Sequence, residues 1–252
     1  MTERPELRLD HLILRTADVD GALARLRDAG LPVLAEAEDV AAGMRSAIVR
    51  AGPVDIELLA VGDDAPPEPE GYGLGFVAPG QALPDAARRL RGAGLPTSAA
   101  LTGRAGEGGR RRTWRVVQVA GLLPEPFPVA VTAKPPGRRE RVLGAATGLL
   151  GRIPAIARAA TRRAGRSMVV VTEYDFDVAA WRRTVPDGPA VTEVEVGVGD
   201  AFGAWERLGA VAGPRLVLRP DGPVGPRRIV LSGDGWAPGG ALALGAVRLE
   251  AG

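Results

Sequence analysis

The chain has 252 residues, of which 46% are apolar, so it can bury a substantial core, and disorder throughout is excluded. Its length fits one large domain or two small ones. Its 32 basic residues against 30 acidic ones leave a formal net charge of +2, which is too even to indicate a nucleic-acid partner. The absence of cysteine excludes disulfides, thiolate nucleophiles, and the cysteine ligands of zinc fingers and iron–sulfur clusters.

The start of the chain has no features of a signal peptide. Residues 1–6 carry acidic side chains and no apolar run, and no apolar stretch reaches the roughly 18–20 residues of a membrane-spanning helix. We therefore expect a cytoplasmic protein without a transmembrane segment. All basic residues except Lys134 are arginines, a composition typical of a GC-rich bacterial genome.

The first elements of the chain are repeated. Leu26–Pro32 reads LRDAGLP and returns as Leu90–Pro96, LRGAGLP, 64 positions later (90 − 26). Each copy ends a stretch with apolar residues at helical spacing, which predicts helices over about 19–29 and 83–93. A strand is predicted before each helix and further strands after it. These strands are Leu7–Leu14, Val33–Ala37, Arg45–Arg50 and Val54–Val61 in the first copy, and Tyr72–Val77, Trp114–Ala120 and Phe127–Ala133 in the second.

Both copies read β-α-β-β-β, and a third, looser copy lies near the end of the chain. It comprises a helix at Asp200–Leu208 and strands at Val191–Val198, Arg215–Leu218, Ile229–Leu231 and Leu242–Leu249. Before it come the arginine-rich segment Arg138–Arg166 and the strand Met168–Thr172. We therefore predict an α+β protein in three parts: paired βαβββ modules over 5–134, an arginine-rich insertion or linker helix over 135–167, and a divergent C-terminal module over 168–252. Two modules side by side form curved mixed sheets around a cleft, the natural position of a site.

Two segments of the first module resemble a known family. Leu9–Val19, which contains Asp-His, and Asp55–Leu59, which reads DIELL, look like the vicinal-oxygen-chelate superfamily, and are most similar to its glyoxalase-like branch. The resemblance implies a glyoxalase/bleomycin-resistance-like fold. It also implies a metal site with a histidine from the first strand and a glutamate from the last strand of a module, here His11 and Glu57. An imidazole and a carboxylate suit a divalent ion such as Zn, Ni, Fe or Mn.

The second module departs from this pattern. The position 64 residues after His11 is Gly75, and Pro128–Val131 carries no acid. One interpretation takes 138–166 as an insertion, so that the strand ending in Glu173 returns to the cleft and Glu173 becomes a third ligand. Another takes Glu193 or Glu195, since Thr192-Glu193-Val194 aligns with Asp10-His11-Leu12.

The other candidates follow from the same cleft. Glu57 and Glu173 are candidate catalytic groups, because a carboxylate in a cleft can act as a general base. Phe76 and Trp114 are expected to line the cleft and to contact a ligand by burial and stacking. Each polar candidate also has a structural interpretation: His11 as a hydrogen-bonded residue without metal, and Glu57 as the partner of Arg45 or Arg50.

Three functions remain open on the sequence alone. The first is a glyoxalase-like enzyme of the lyase, isomerase or oxygenase type, acting on a small oxygen-rich organic molecule through a divalent metal, with arginines holding a carboxylate. The second is a metal-free protein that binds a small molecule in resistance, sequestration or biosynthesis. The third uses Arg138–Arg166 to bind a partner or an anionic surface. The single histidine, His11, excludes mechanisms that need two imidazoles from one chain, and a homodimer stays open.

Overall fold

The computed structural model describes residues 6–41, 44–61, 64–106, 112–123, 168–208, 211–233, 236 and 241–252. The predicted strand Phe127–Ala133 and the arginine-rich segment Arg138–Arg166 lie outside these residues. Within the described ranges the strands form two sheets. No helix in these ranges is both long enough and apolar enough to cross a bilayer.

The first module forms one half of the larger sheet. Its elements are β1 (Leu7–Arg15), α1 (Val19–Asp28), β2 (Val33–Ala41), β3 (Met44–Ala51) and β4 (Val54–Val61). β1 runs parallel to β4, which pairs antiparallel with β3, and β3 pairs with β2. The carboxylate of Asp18 caps α1 by accepting a hydrogen bond from the Gly21 amide. The helix buries Leu23 and Leu26 against the sheet, as the spacing of apolar residues predicts.

The second module repeats this arrangement. Its elements are β5 (Glu70–Val77), α2 (Leu83–Gly92), β6 (Leu101–Ala105), β7 (Arg112–Gln118) and β8 (Met168–Tyr174). β5 runs parallel to β8, which pairs with β7, and β7 pairs with β6. β8 is therefore the fourth strand of this module, separated from β7 by an insertion. The predicted domain boundary at 134 is corrected accordingly, because β8 belongs to the first sheet and not to the C-terminal module.

An antiparallel pairing of β1 with β5 joins the two modules into one sheet. Its strand order is β2-β3-β4-β1-β5-β8-β7-β6, with each module contributing one half. This order confirms the predicted fold class, an α+β protein with paired βαβββ modules in a curved mixed sheet around a cleft.

The C-terminal region forms the second sheet. Its elements are α3 (Val178–Arg182), β9 (Ala190–Gly197), α4 (Phe202–Leu208), β10 (Val211–Ala212), β11 (Arg215–Arg219), β12 (Gly225–Ser232), β13 (Ala241–Leu244) and β14 (Val247–Ala251). The strand order is β11-β9-β12-β14-β13, and β10 pairs with β1 of the first sheet. The single strand predicted at Leu242–Leu249 is two strands, because the chain turns at Gly245, whose φ of 57° is favourable for glycine.

The two sheets share one hydrophobic core. Apolar residues from α1, α2, the outer face of the first sheet and the second sheet form a single buried cluster. The sheets approach most closely where β5 meets β12. A Cβ atom on Gly71 would lie 1.7 Å from the carbonyl oxygen of Pro226, so this contact requires glycine. The helices α1, α2 and α4 and the second sheet therefore cover one face of the first sheet, and the opposite face forms the cleft.

Candidate functional site

The concave face of the first sheet encloses a cavity of about 160 Å³. Most of the side chains that line it fall into three groups, and the ion pair of Glu38 and Arg112 also lies in the wall. The polar end contains His11, Ser46, Asp55, Glu57 and Thr172, the apolar end contains Ile13, Met44, Leu59, Met168 and Val170, and an aromatic wall contains Trp114, Tyr174, Phe176 and Trp181. An apolar hollow with a few converging polar groups is the usual form of a small-molecule site.

His11 and Glu57 lie next to each other at the polar end. The parallel pairing of β1 with β4 sets His11 opposite Asp55 and Ile13 opposite Glu57. His11 Nε2 is 3.8 Å from Glu57 Oε2, and Ser46 Oγ donates a 2.7 Å hydrogen bond to Glu57 Oε1. Glu57 is thus paired neither with Arg45, which contacts Asp20, nor with Arg50.

Glycine on β5 leaves room for the imidazole. His11 pairs with Gly75, and a Cβ atom built on Gly75 would lie 2.0 Å from Cε1 and 2.2 Å from Nε2 of His11. Real Cβ atoms do not approach other atoms so closely, so the ring occupies the space that any other residue at position 75 would fill.

Asp10 fixes the imidazole from the other side. His11 Nδ1 lies 3.0 Å from Asp10 Oδ2, and the Tyr174 hydroxyl donates a 2.6 Å hydrogen bond to the same oxygen. Burial alone lowers the pKa of His11, but the hydrogen bond and charge of Asp10, with the charges of Glu57 and Asp55, outweigh burial and raise it. The imidazole is therefore oriented and favoured in its charged form, with Nε2 towards Glu57.

Arg182, from α3, holds two buried carboxylates together. Its Nε and Nη2 donate hydrogen bonds of 2.8 and 2.7 Å to Asp55 Oδ2, and Nη2 donates one of 3.0 Å to Asp10 Oδ1. Burial raises the pKa of Asp10, but the hydrogen bond and charge of His11, followed by Arg182 and Tyr174, hold it well below its usual range. Burial raises the pKa of Asp55 to about 6, because Arg182 offsets only part of the desolvation.

Two of the residues predicted from the sequence do not lie in the cavity. Side chains alternate along β8, so Thr172 and Tyr174 face the cavity while Glu173 lies on the opposite face. There Glu173 accepts a 3.2 Å hydrogen bond from the Leu83 amide and pairs with Arg115, beside a separate hollow of about 240 Å³. Phe76 is likewise fully buried in the core on the helix side. Both are corrections to the predicted site, whereas Trp114 does line the cavity.

Glu193 and Glu195 lie in the second sheet. Glu193 accepts hydrogen bonds from Arg228 at 2.9 Å and Arg215 at 3.4 Å, and Glu195 accepts one from Arg227 at 2.8 Å. They do not join His11 and Glu57. The alignment of Glu193 with His11 is nevertheless correct, because Glu193 pairs with Val230 of β12 as His11 pairs with Gly75 of β5.

The polar groups that the described residues bring to this cavity do not fit a resident divalent metal. Among the described residues no group of three or more His, Cys, Asp or Glu side chains is placed to hold an ion. His11 Nε2 and Glu57 offer two donors, and the nearby carboxylates of Asp10 and Asp55 are bound to Arg182. Protein metal sites typically use three or more side-chain ligands.

Sequence reasoning missed most of the network around His11. Asp10 and Asp55 stand in the two segments that carry the family resemblance, but neither was singled out. Their common partner Arg182 is 127 residues from Asp55 in the chain. Phe176 and Trp181 of the aromatic wall lie, like Arg182, in the segment that follows β8. No sequence motif marks this segment.

Comparisons with known proteins support the fold alone. No protein-family model matches the sequence, and no curated protein matches it significantly. A hypothetical protein from Staphylococcus aureus has a similar structure, with a TM-score of 0.64 and 7% identity over 98% of this chain and 99% of that one. Methylmalonyl-CoA epimerase from Mycobacterium tuberculosis matches with a TM-score of 0.37 and 17% identity over 69% of this chain and 91% of that one.

Proposed function

We propose that this protein binds a small organic molecule in the cavity of the first sheet, with an oxygen-bearing group against His11 and Glu57 and without a resident metal. The observation that carries the proposal is the cavity itself, which combines an apolar and aromatic lining with one polar end. Such a lining favours the body of a ligand by burial, and the polar groups determine its orientation.

The size of the cavity limits the ligand. A dry protein cavity of about 150 Å³ accepts benzene, so about 160 Å³ accommodates one ring with a short substituent. Trp114, Phe176 and Trp181 provide faces and edges on which a flat molecule can stack.

Proton transfer is a second candidate function, favoured by the contact between His11 and Glu57. The imidazole, oriented by Asp10, can donate a hydrogen bond from Nε2 to a carbonyl oxygen of the ligand. The carboxylate of Glu57, held by Ser46, can accept a proton from a neighbouring carbon or oxygen. A charged imidazole beside the developing oxyanion would stabilise it, which is the chemistry of an isomerase or lyase that works by acid–base catalysis.

Two glutamates provide a matched test of the proposed site. Both were predicted from the sequence, but Glu57 faces the cavity and Glu173 faces the other side of the sheet. We expect benzyl alcohol to bind to the wild-type protein and binding to weaken about tenfold or more in Glu57→Gln, because the polar end loses its charged acceptor. Glu173→Gln should bind as the wild type does. Equal binding by both variants, measured by calorimetry, would contradict the proposal.

Whether the protein binds a divalent metal is tested separately, by elemental analysis. Protein purified without chelator, and protein reconstituted with Mn, Ni, Fe or Zn, is analysed for bound metal beside the His11→Ala variant. We expect substoichiometric metal in all samples, because two donors bind a divalent ion weakly. One equivalent of metal in the wild type that His11→Ala removes would replace the metal-free proposal with the metal-dependent one.

A further inference from the structure

Asp55 uses only one of its two oxygens within the described structure. Arg182 donates both of its hydrogen bonds to Oδ2, at 2.8 and 2.7 Å. Oδ1 is buried and has no hydrogen-bond partner among the described residues. The side chain is 5% exposed, and Asp55 is one of the residues that line the cavity.

A buried acceptor without a partner is unfavourable, and a ligand that donates a hydrogen bond to it removes that cost. Asp55 lies beside His11 in the register of β4 and β1, so the same ligand can contact both residues. Thr172, another residue that lines the cavity, has a second buried oxygen, Oγ1, without a partner among the described residues. The polar end therefore offers a ligand more hydrogen-bonding groups than those of His11 and Glu57.

The charges around the cavity decide which kind of ligand fits. At its polar end, three carboxylates, of Asp10, Asp55 and Glu57, face two cations, Arg182 and His11. Arg182 is engaged by Asp10 and Asp55 and is not free to bind a ligand anion.

The wall of the cavity offers no other free cation within the described residues. Arg112 pairs with Glu38, and its guanidinium lies 4.7 Å from the centre of the Trp181 ring. The sequence predicted arginines that hold a ligand carboxylate, but among the described residues no arginine of this cavity is free to do so.

We infer that Asp55 is the specificity-determining residue of the cavity and selects an uncharged or cationic ligand whose hydroxyl or amine group donates a hydrogen bond to Asp55 Oδ1. The inference rests on the proposed function, because it assumes that the cavity binds a small molecule. It adds the chemical class of the ligand: one ring with a donor substituent, and neither a carboxylate nor a phosphate.

Four ligands of one shape test this inference at neutral pH. Benzylamine is a cation and a donor, benzyl alcohol is an uncharged donor, benzoate is an anion, and toluene has no polar group. Calorimetric titration of the wild-type protein should show the amine and the alcohol binding about tenfold or more tightly than benzoate and toluene. This series needs no substitution, so it does not depend on a variant that folds.

Asp55→Asn then tests the residue, with Glu173→Gln as the control on the opposite face. Arg182 can only donate, so the oxygen of the introduced amide turns towards it and the NH2 group faces the cavity. We expect the preference for benzylamine to fall about tenfold or more in Asp55→Asn, with benzoate no longer disfavoured, and no change in Glu173→Gln. Circular dichroism of each variant checks that it is folded.

Each outcome has one meaning. Four ligands with equal affinity, or benzoate binding most tightly, overturn the inference while leaving the proposed binding function in place. A wild-type preference for donors that persists in folded Asp55→Asn also overturns the role of Asp55. If none of the four ligands binds, both the proposed function and the inference are wrong.

Discussion

The two sheets of the protein have the same central pairing but differ in what they can hold. His11 of β1 pairs with Gly75 of β5, and Glu193 of β9 pairs with Val230 of β12. In both pairs the register shifts by one residue immediately before the histidine or the glutamate, and again further along the strand. The backbone at the centre of the two sheets is therefore equivalent, and the difference between them comes from side chains and from neighbouring strands.

Side chains fill the second sheet where glycines open the first. Gly73 of β5 has Arg228 of β12 as its counterpart in the register. Arg228 pairs with Glu193 at 2.9 Å and with Glu250 at 2.8 Å, so charged side chains that neutralise one another cover this face. In the first sheet the glycines leave space, and the imidazole of His11 occupies it.

Neighbouring strands complete the difference. The first sheet continues beyond its four central strands into β3 and β2 on one side and β7 and β6 on the other. Among the described residues the second sheet ends at β11 and β13, so its face has no such walls. Of the buried side-chain polar atoms without a partner in the described structure, those of Asp55 and Thr172 belong to residues that line the cavity, and none belongs to the second sheet. The central pairing alone therefore does not form a cavity. The cavity of the first sheet also depends on the glycines of β5 and on the flanking strands on both sides.

The largest expected effect separates a buried ion pair from an exposed one. Arg182→Met leaves the carboxylates of Asp10 and Asp55 buried without their cation, and we expect a loss of about 3–5 kcal/mol in the free energy of unfolding. Arg228→Met in the second sheet removes a guanidinium that is 38% exposed, and the loss should be much smaller. Urea unfolding of both variants measures the difference. Equal losses would contradict the expectation that burial determines the cost of removing the cation.

Gly75→Ala is the next largest change, since it gives the first sheet a side chain where the second has Val230. The new Cβ cannot coexist with the ring of His11, so the imidazole must move away from Glu57. We expect a loss of about 1–3 kcal/mol in the free energy of unfolding and weaker ligand binding. Gly203→Ala is the control, because a Cβ on Gly203 meets nothing within 4 Å and the residue is helical. It should be neutral or slightly stabilising.

A smaller expected effect is a change in the pKa of His11. The chain has a single histidine, so its imidazole gives one assignable NMR signal. Titration by NMR should yield a pKa for His11 above its ordinary 6.5. Asp10→Asn should lower that pKa, since it removes the charge and hydrogen bond that favour the imidazolium, and Glu57→Gln should lower it less.

The raised pKa of His11 also determines how the free energy of unfolding changes with pH. The pKa of His11 is raised in the folded state, so the stability that its protonation contributes is full below pH 6.5 and is lost as the pH rises through the folded value. Asp10→Asn should reduce this part of the pH dependence. An unchanged pKa of His11 in Asp10→Asn would show that Asp10 does not hold the imidazole.

The fold was predictable because the repeat around LRDAGLP marks equivalent helices, and strands at similar spacing surround each one. The predicted boundaries placed β8 in the C-terminal module, which is wrong, since an insertion separates β8 from β7 and no periodicity shows which sheet a buried strand joins. Local spacing therefore predicted the modules and left the long-range pairing undetermined.

The site was predictable only in part, because the faces of a strand buried on both sides look alike in sequence. Gly75 and Phe76, like Thr172 and Glu173, are neighbours that face opposite ways, and the sequence favoured the larger or more polar member of each pair. A residue predicted on the wrong face of its strand, such as Phe76 or Glu173, lies outside the cavity. Arg182 could not be predicted, because its contact with Asp55 arises only when α3 packs on the sheet.

The smallest expected effect concerns Thr172, whose buried hydroxyl has no partner among the described residues. Thr172→Val keeps the shape and removes the oxygen, so the free energy of unfolding should stay the same or rise by up to about 1 kcal/mol. Ser46→Ala, in the same cavity, should instead cost about 1 kcal/mol, because Ser46 donates a 2.7 Å hydrogen bond to Glu57. Thermal unfolding of the two variants decides the point. A loss in Thr172→Val as large as that in Ser46→Ala would mean that the hydroxyl of Thr172 already has a partner and is not available to a ligand.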